Sequence, residues 1–422
     1  MSVTFISGKV SGRIEAPPSK SYMQRAIVAS LLSEGESVIL NPSWCDDSLA
    51  ALAIAELLGA QVNRESDRVI VRGGLKPLGT TLNCGESGLA LRMFSAVAAM
   101  TGKSLILTGE GSLRKRPVNM IENPLASLGA SVTTKKGFLP IMVEGPLKGG
   151  MVEVDGSVSS QFLTGLLFAL PLAENDSIIK LSNASSKPYI DMTVALLADF
   201  GISVENRGYR EFFIKGRQVY RPQTMKVEGD WSGASFFLVM AAVSGELTVG
   251  NLKSDSLQAD RRVLDVLRQA GADVEIRPDE VTVRKAALKP FIFDISDCPD
   301  LAPPLAILAA ACRGTSILTG TERLVVKESS RGENIKTNLE KMGAVVRIES
   351  GSIEIEGIGL LWHAATRSFN DHRMAMAMAA ASVMSEEGVT IDETECINKS
   401  YPGFIDDFMK AGGEARGFQI ND

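Results

Sequence analysis

The chain has 422 residues, 45% hydrophobic, 22% charged and 6% aromatic, the make-up of a folded globular protein rather than a disordered or fibrous one. Its 44 Lys and Arg against 50 Asp and Glu leave a formal net charge of −6, which argues against a nucleic-acid binder and makes any anion site a local one. The only histidines, His363 and His372, exclude a His-rich metal centre, and five cysteines without a C-x-x-C pair argue against a disulfide framework or structural zinc.

No apolar run approaches the ~20 residues that cross a bilayer; the best, Phe236 to Val243 and Met374 to Met384, fall well short. The opening MSVTFISGKVSGR lacks the basic segment, apolar stretch and small-residue cleavage site of a secretory signal. A cytoplasmic protein is expected, with its cysteines as core thiols.

In chain order, a short strand leads to an apolar helix opening near Ser21. A strand SVIL follows from 37, then an amphipathic helix ended by LLGAQV around Gly59, then the hairpin VNRESDRVIV. The phrase of helix end, glycine and strand recurs as SLGASV around Gly129, DFGISV around Gly201, QAGADV around Gly271, KMGAVV around Gly343 and KAGGEA around Gly412, every 69 to 72 residues. A helix stopped by a left-handed glycine before a strand accounts for it. Apolar helices open near Glu86, Ser160, Ser232, Asp300 and His372, and strands such as SLILTG from 104 and SILTGT from 316 follow them. Helices apolar all round, as over 162–172 and 305–312, belong in a core. Each period reads βαβαββ, and six periods mean duplication.

Six such units are expected to fold as two lobes of three in an α/β protein. One lobe takes residues 1–13 plus 227–422 and the other 14–226, with the polar stretch 217–226 as hinge. In a βαβ unit the helix starts beyond the carboxyl end of its strand, so all buried helices of a lobe should point their N-termini one way. Converging N-termini bring partial positive charge and free N–H donors together, which suits an anionic ligand even in an acidic chain.

Several of these helix starts carry chemistry-bearing residues. The first reads Ser19-Lys20-Ser21-Tyr22-Met23-Gln24-Arg25, the second Glu86-Ser87-Gly88-Leu89-Ala90-Leu91-Arg92, and the third Ser159-Ser160-Gln161. A plain capped helix is the alternative at each. The loops add Leu113-Arg114-Lys115-Arg116-Pro117, Lys327-Glu328-Ser329-Ser330-Arg331 and Lys399-Ser400-Tyr401-Pro402, while Asp300 and Asp371-His372-Arg373 open the fifth and sixth helices. A solvated basic face, or a structural histidine at 372, is the competing reading.

Taken together, Ser-Lys-Ser with Arg25, Arg116-Pro117, Ser-Ser-Gln, Ser186-Lys187-Pro188-Tyr189-Ile190-Asp191, Val-Lys-Glu with Arg331, Asp-His-Arg and Lys399 resemble the 5-enolpyruvylshikimate-3-phosphate synthase family, in family order over essentially the whole chain. The resemblance implies a two-lobed inside-out α/β barrel of six βαβαββ repeats, acting as a monomer. It implies transfer of the enolpyruvyl group of phosphoenolpyruvate to the 5-hydroxyl of shikimate 3-phosphate through a tetrahedral intermediate, with release of phosphate and with neither metal nor organic cofactor. By motif, Lys20, Gly88, Arg116, Gln161, Arg331, His372, Arg373 and Lys399 form the phosphoenolpyruvate set. Lys20, Ser21, Arg25, Ser159, Ser160, Gln161, Ser186, Tyr189, Asp300, Arg323 and Lys327 form the shikimate 3-phosphate set. Asp300 is implied as base and Glu328 as proton donor, with Lys20 assisting.

Two departures stand out: Glu86-Ser87-Gly88-Leu89-Ala90 where the family often has Asn-Ala-Gly-Thr-Ala, and Arg323 where many members carry asparagine. UDP-N-acetylglucosamine enolpyruvyl transferase is the nearest alternative, but residues 109–117 lack the cysteine usual there and Lys20 is followed by Ser21. RNA 3'-phosphate cyclases and a non-catalytic anion-binding repeat protein are more distant alternatives. Closure of the lobes on an anionic ligand is the expected motion.

Overall fold

The computed structural model describes residues 2–157 and 160–417. Its contacts divide the chain into two units, Pro18–Val227 and Met1–Pro17 with Glu228–Asp422.

The unit of residues 18–227 carries α1 (Lys20–Leu32), α2 (Asp46–Leu57), α3 (Gly88–Ala98), α4 (Glu122–Ser127), α5 (Ser160–Ala169) and α6 (Lys187–Asp199). Its strands form four-stranded sheets. In one of them Gly150–Asp155 runs parallel to Ser177–Ser182, and the hairpin of Val204–Arg207 and Glu211–Ile214 completes the sheet antiparallel. The parallel pair needs a crossover, and α5 supplies it. One face of each sheet is wet: in Arg68–Arg72, Val69 and Val71 are fully buried while Arg72 is exposed. The apolar helices lie inside, with every residue of α3 buried. Gly165 lets α5 approach the backbone of α3, since a Cβ there would lie 2.8 Å from the carbonyl oxygen of Arg92.

The other unit carries α7 (Trp231–Ser244), α8 (Val263–Gln269), α9 (Ala302–Ala311), α10 (Arg331–Lys341), α11 (His372–Ala381) and α12 (Phe404–Lys410). The inner helices α7, α9 and α11 pack on one another, and Trp231 to Ala242 and Ala302 to Ala310 are buried throughout, as their all-round apolar sequences require. The outer helices α2, α4, α6, α8, α10 and α12 are followed by Gly59, Gly129, Gly201, Gly271, Gly343 and Gly412, each with positive φ between +78° and +115°. The repeated glycine is therefore the left-handed stop that ends each outer helix.

Two details differ from the sequence expectation. The opening strand of the first period, Arg13–Glu15, pairs with Thr248 to Gly250 in the fourth period, and Thr224–Lys226 takes its place beside Glu36–Leu40. The first of these ladders runs across the expected division at 13/14, and the contacts divide the units after Pro17 and after Val227. In the sixth period the hairpin is not local: Val3–Ser7 lies antiparallel between Val389–Ile391 and Gly413–Arg416. Among the described residues the ladders stop at four strands and do not close into a continuous barrel. The inside-out character comes from helices packed within sheets.

Candidate active site

In the unit of residues 18–227, Ser19 caps α1 by accepting the Tyr22 N–H at 3.4 Å, which sets Lys20 in the first turn. Lys20 Nζ is 3.0 Å from Asp47 Oδ2 in the first turn of α2, both largely buried. One turn further on, Arg25 is 2% exposed. Its Nε donates to Thr193 Oγ1 at 2.9 Å, Nη1 to the Ser21 carbonyl at 2.8 Å, and Nη2 to the Tyr189 carbonyl at 3.4 Å and Thr164 Oγ1 at 3.5 Å. Burial lowers the guanidinium to about 10, so it stays charged at neutral pH. Arg25 thus ties α1 to α5 and α6 and lies over the Tyr189 ring. Ser186, at φ +53°, precedes α6, and Ser160 opens α5, both buried. Ser159 lies outside the described residues.

A second knot forms around Gly88. Ser87 caps α3 and donates to Gln24 Oε1 on α1 at 3.1 Å. Arg92 is buried, and its Nη1 donates to the Gly88 carbonyl at 3.2 Å and to Gln161 Oε1 at 3.1 Å. A Cβ at Gly88 would meet Arg116 Nη1 at 2.6 Å and Arg92 Nη1 at 2.8 Å. Two guanidiniums therefore crowd one helix start, and a side chain at Gly88 would have to displace one or both of them. Arg116 follows the turn Gly111–Lys115, which Glu86 holds by accepting from the Ser112 amide at 3.1 Å and its hydroxyl at 3.0 Å. Arg114 Nε donates to the Gly109 carbonyl at 2.9 Å. Of the basic run, Arg114 and Lys115 are exposed and Arg116 is half-buried.

The other unit concentrates its charges near the starts of α9, α10 and α11. Asp300 lies in the turn Pro299–Leu301. Its Oδ1 accepts from Arg331 Nη1 at 2.7 Å and Lys327 Nζ at 3.1 Å, and its Oδ2 is 3.1 Å from Arg373 Nη2. Burial pushes this carboxyl up, but Arg373, Lys327 and Arg331 together outweigh it and hold it well below the usual carboxylate range. Burial likewise lowers Lys327 to about 8, Arg323 and Arg331 add to that effect, and Asp300 opposes it. Arg331 is fully buried and reaches Asp371 Oδ2 at 2.9 Å and Glu328 Oε2 at 2.6 Å. Burial alone would depress it, and the carboxylates of Asp371, Glu328 and Asp300 keep it firmly charged.

Asp371 also caps α11 through the Arg373 N–H at 3.0 Å and accepts from Ser329 Oγ at 2.9 Å. His372 is 1% exposed, with Nδ1 3.8 Å from Asp371 Oδ1. Lys399 is buried at the end of the turn Thr394–Lys399, which packs on α11. Arg323 Nη1 donates to the Ser296 carbonyl at 3.5 Å.

Each unit therefore gathers its own share of the sequence candidates at helix starts and in the turns that precede them. Sequence reasoning did not single out Asp47, which faces Lys20, and gave no separate role to Asp371, which anchors Arg331. Arg92 and Ser232 it named only as parts of helix starts, and the Ser232 hydroxyl accepts from Arg373 Nη1. Asp371 was visible as the residue before His372, and Asp47 as an acid in the first turn of α2, a place where acids are ordinarily read as helix-dipole partners.

The EPSP synthase (3-phosphoshikimate 1-carboxyvinyltransferase) family model matches residues 5–408. The chain belongs to the EPSP synthase family. It is 39% identical to the 3-phosphoshikimate 1-carboxyvinyltransferase of Methanocorpusculum labreanum over 97% of this chain and 98% of that one. It is also 39% identical to the enzyme of that name from Clostridium kluyveri, over 96% of each chain. Among solved structures, EPSP synthase from Acinetobacter baumannii superposes with a TM-score of 0.83 at 26% identity, covering 98% of this chain and 99% of that one. As a member of the EPSP synthase family the protein is a transferase of mixed α/β fold. Among the described residues no helix is long and apolar enough to cross a membrane.

Proposed function

We propose that the protein transfers the enolpyruvyl group of phosphoenolpyruvate to the 5-hydroxyl of shikimate 3-phosphate and releases phosphate. Its place in the family supports the reaction, and one local observation carries the chemistry: Asp300 is held ionised by Arg373, Lys327 and Arg331. Two multiply charged anions repel each other, and fixed cations in a poorly solvated site offset that repulsion.

Arg25 beside Tyr189, together with Ser160 and Ser186, suits the phosphate of shikimate 3-phosphate. Lys20, Arg116, Arg373 and Lys399 suit the phosphate and carboxylate of phosphoenolpyruvate, with His372 and Arg331 beside Asp371. Ser21, Ser159, Gln161, Lys327 and Arg323 complete the proposed contacts. Asp300 takes the proton of the attacking hydroxyl, and Glu328 protonates the methylene carbon, with Lys20 assisting. The tetrahedral intermediate then gives a methyl proton back to Glu328 as its bond to phosphate breaks, which restores the double bond and releases phosphate. A carboxylate so strongly stabilised is a poor base in the empty site, but bound anions share its cations and restore basicity when it is needed. The reading needs neither metal nor organic cofactor and treats the chain as a cytoplasmic monomer.

The deciding measurement is phosphate release from phosphoenolpyruvate with shikimate 3-phosphate or UDP-N-acetylglucosamine as acceptor. Turnover with the first alone is expected, and turnover only with the second refutes the proposal.

A further inference from the structure

Behind the Arg373–Asp300 pair lies a second carboxyl that the scheme above leaves idle. Asp260 sits in the turn Ala259–Arg262 and is 1% exposed. It hydrogen-bonds the side chain of Ser232 in the first turn of α7, and Ser232 Oγ accepts from Arg373 Nη1. A hydroxyl has one hydrogen, so with Arg373 donating to its oxygen Ser232 directs that hydrogen to Asp260. Arg373 Nη2 meanwhile reaches Asp300 Oδ2 at 3.1 Å. A part-buried carboxyl and a buried one thus act on the two terminal nitrogens of one guanidinium, the first directly and the second through a hydroxyl.

The groups facing Asp260 are Asp300 and Cys298 ahead of α9, Asp230 at the start of α7, and Arg373 on α11. Arg262, on its own turn, lies over the Phe293 ring at 4.5 Å. Burial and then the Asp300 charge push the Asp260 carboxyl up to about 6, with Arg373 and Ser232 opposing. Asp300, with Lys327 and Arg331 as additional partners, moves the other way. Neighbouring carboxyls driven apart in this manner divide the roles of proton carrier and anion between them.

We propose that Asp260 is a positioning carboxyl for this reaction: ionised in the empty site, it draws Arg373 back through Ser232, and when an anionic substrate binds beside Arg373 it takes up a proton from solvent and yields the guanidinium to the ligand. The inference rests on the substrates proposed above. Added negative charge beside Arg373 disfavours the Asp260 carboxylate further, so binding and proton uptake are linked. Asp300 stays ionised throughout and remains available as base.

The test measures KM for phosphoenolpyruvate and kcat between pH 5.5 and 7.5 in wild type, Asp260→Asn and Asp260→Glu. At pH 7.5 Asp260→Asn, which mimics the protonated state, is expected to lower KM about threefold or more by removing a nearby negative charge. Its effect on kcat is expected to be smaller than its effect on KM, because Asp260 is already protonated in the substrate complex. At pH 5.5 the two KM values converge, and Asp260→Glu restores the wild-type pH dependence. A purely structural role would raise KM, and a KM ratio unchanged by pH overturns the proposal. A second arm needs no variant. In wild-type protein with 13C-labelled aspartate carboxyls, one resonance should titrate near pH 6 and move to higher pH when phosphoenolpyruvate alone is added; no such resonance overturns the proposal. A wild type inactive with both substrates overturns the proposed reaction instead, and the titration arm still decides the role of Asp260.

Discussion

Replacing Asp371 with alanine removes the carboxylate that receives Arg331 Nε at 2.9 Å and Nη2 at 3.3 Å, with both side chains fully buried. Deleting one partner of a buried pair ordinarily costs about 3–5 kcal/mol, because a charge is left buried alone. Here Arg331 keeps Asp300 and Glu328, so the low end of that range applies. The same change uncaps α11 by taking the acceptor of the Arg373 N–H, which adds about 1 kcal/mol. The sum, about 4 kcal/mol, corresponds to a melting point lower by about 10 °C for a unit of this size. Asp371→Asn keeps the cap and one acceptor for Arg331, and is expected to cost about half as much. Urea titration in a Trp44→Phe background, followed by the fluorescence of Trp231, buried in α7, and Trp362 of the same unit, reports on that unit rather than on the whole chain. A loss below about 1 kcal/mol for Asp371→Ala, within the range of a surface change, would refute the reasoning. Equal losses for the two variants would refute the part assigned to the cap and the retained acceptor.

Asp300→Ala removes the proposed base, and steady-state phosphate release should fall by about a hundredfold or more with the fold retained by circular dichroism; wild-type-like turnover removes Asp300 from the mechanism. Gly88→Ala places a methyl group 2.6 Å from Arg116 Nη1. It should raise KM for phosphoenolpyruvate several-fold with little change in melting point, as checked by steady-state kinetics and calorimetry. Lys327, lowered to about 8, loses its charge as pH rises through that value, so kcat/KM should decline on the alkaline side and Lys327→Arg should abolish that limb. Between pH 8 and 10.5 the unfolded chain binds this proton more tightly than the folded one, so the lysine's contribution favours folding increasingly as pH rises through that window. Among the repeat glycines, Gly59→Ala meets the Lys76 carbonyl oxygen at 2.6 Å whereas Gly271→Ala meets its nearest atom at 3.4 Å. Both positions have positive φ and should destabilise on chemical denaturation, Gly59 more than the ~1 kcal/mol expected of left-handed strain alone.

Much of the site was legible because cations at helix starts leave a local signature. Ser19-Lys20-Ser21 reads as a cap with a charge behind it, and the basic run 114–116 stands out in an acidic chain. What was not legible is which cation is committed to what. Arg114 braces the Gly109 carbonyl while Arg116, two residues on, is aimed at Gly88, and nothing local distinguishes them. Glu86 reads as a departure from the family pattern, and only its contacts with Ser112 show it fastening the turn that precedes Arg116.

The sequence by itself determined the repeat, the six glycine stops and the buried helices, since each follows from interactions within a dozen residues: hydrophobic periodicity, capping, and the freedom of glycine at positive φ. It also carried the family, because the motifs keep their order along the chain. Only the tertiary structure decided that Arg13–Glu15 and Thr224–Lys226 exchange sheets, and that Val3–Ser7 completes the sixth sheet. Strand pairing between residues this far apart in the chain depends on which edge is open, and no local pattern encodes that. The same holds for Asp47, Asp260 and Asp371, whose charges acquire meaning only when folding brings Lys20, Arg373 and Arg331 within reach.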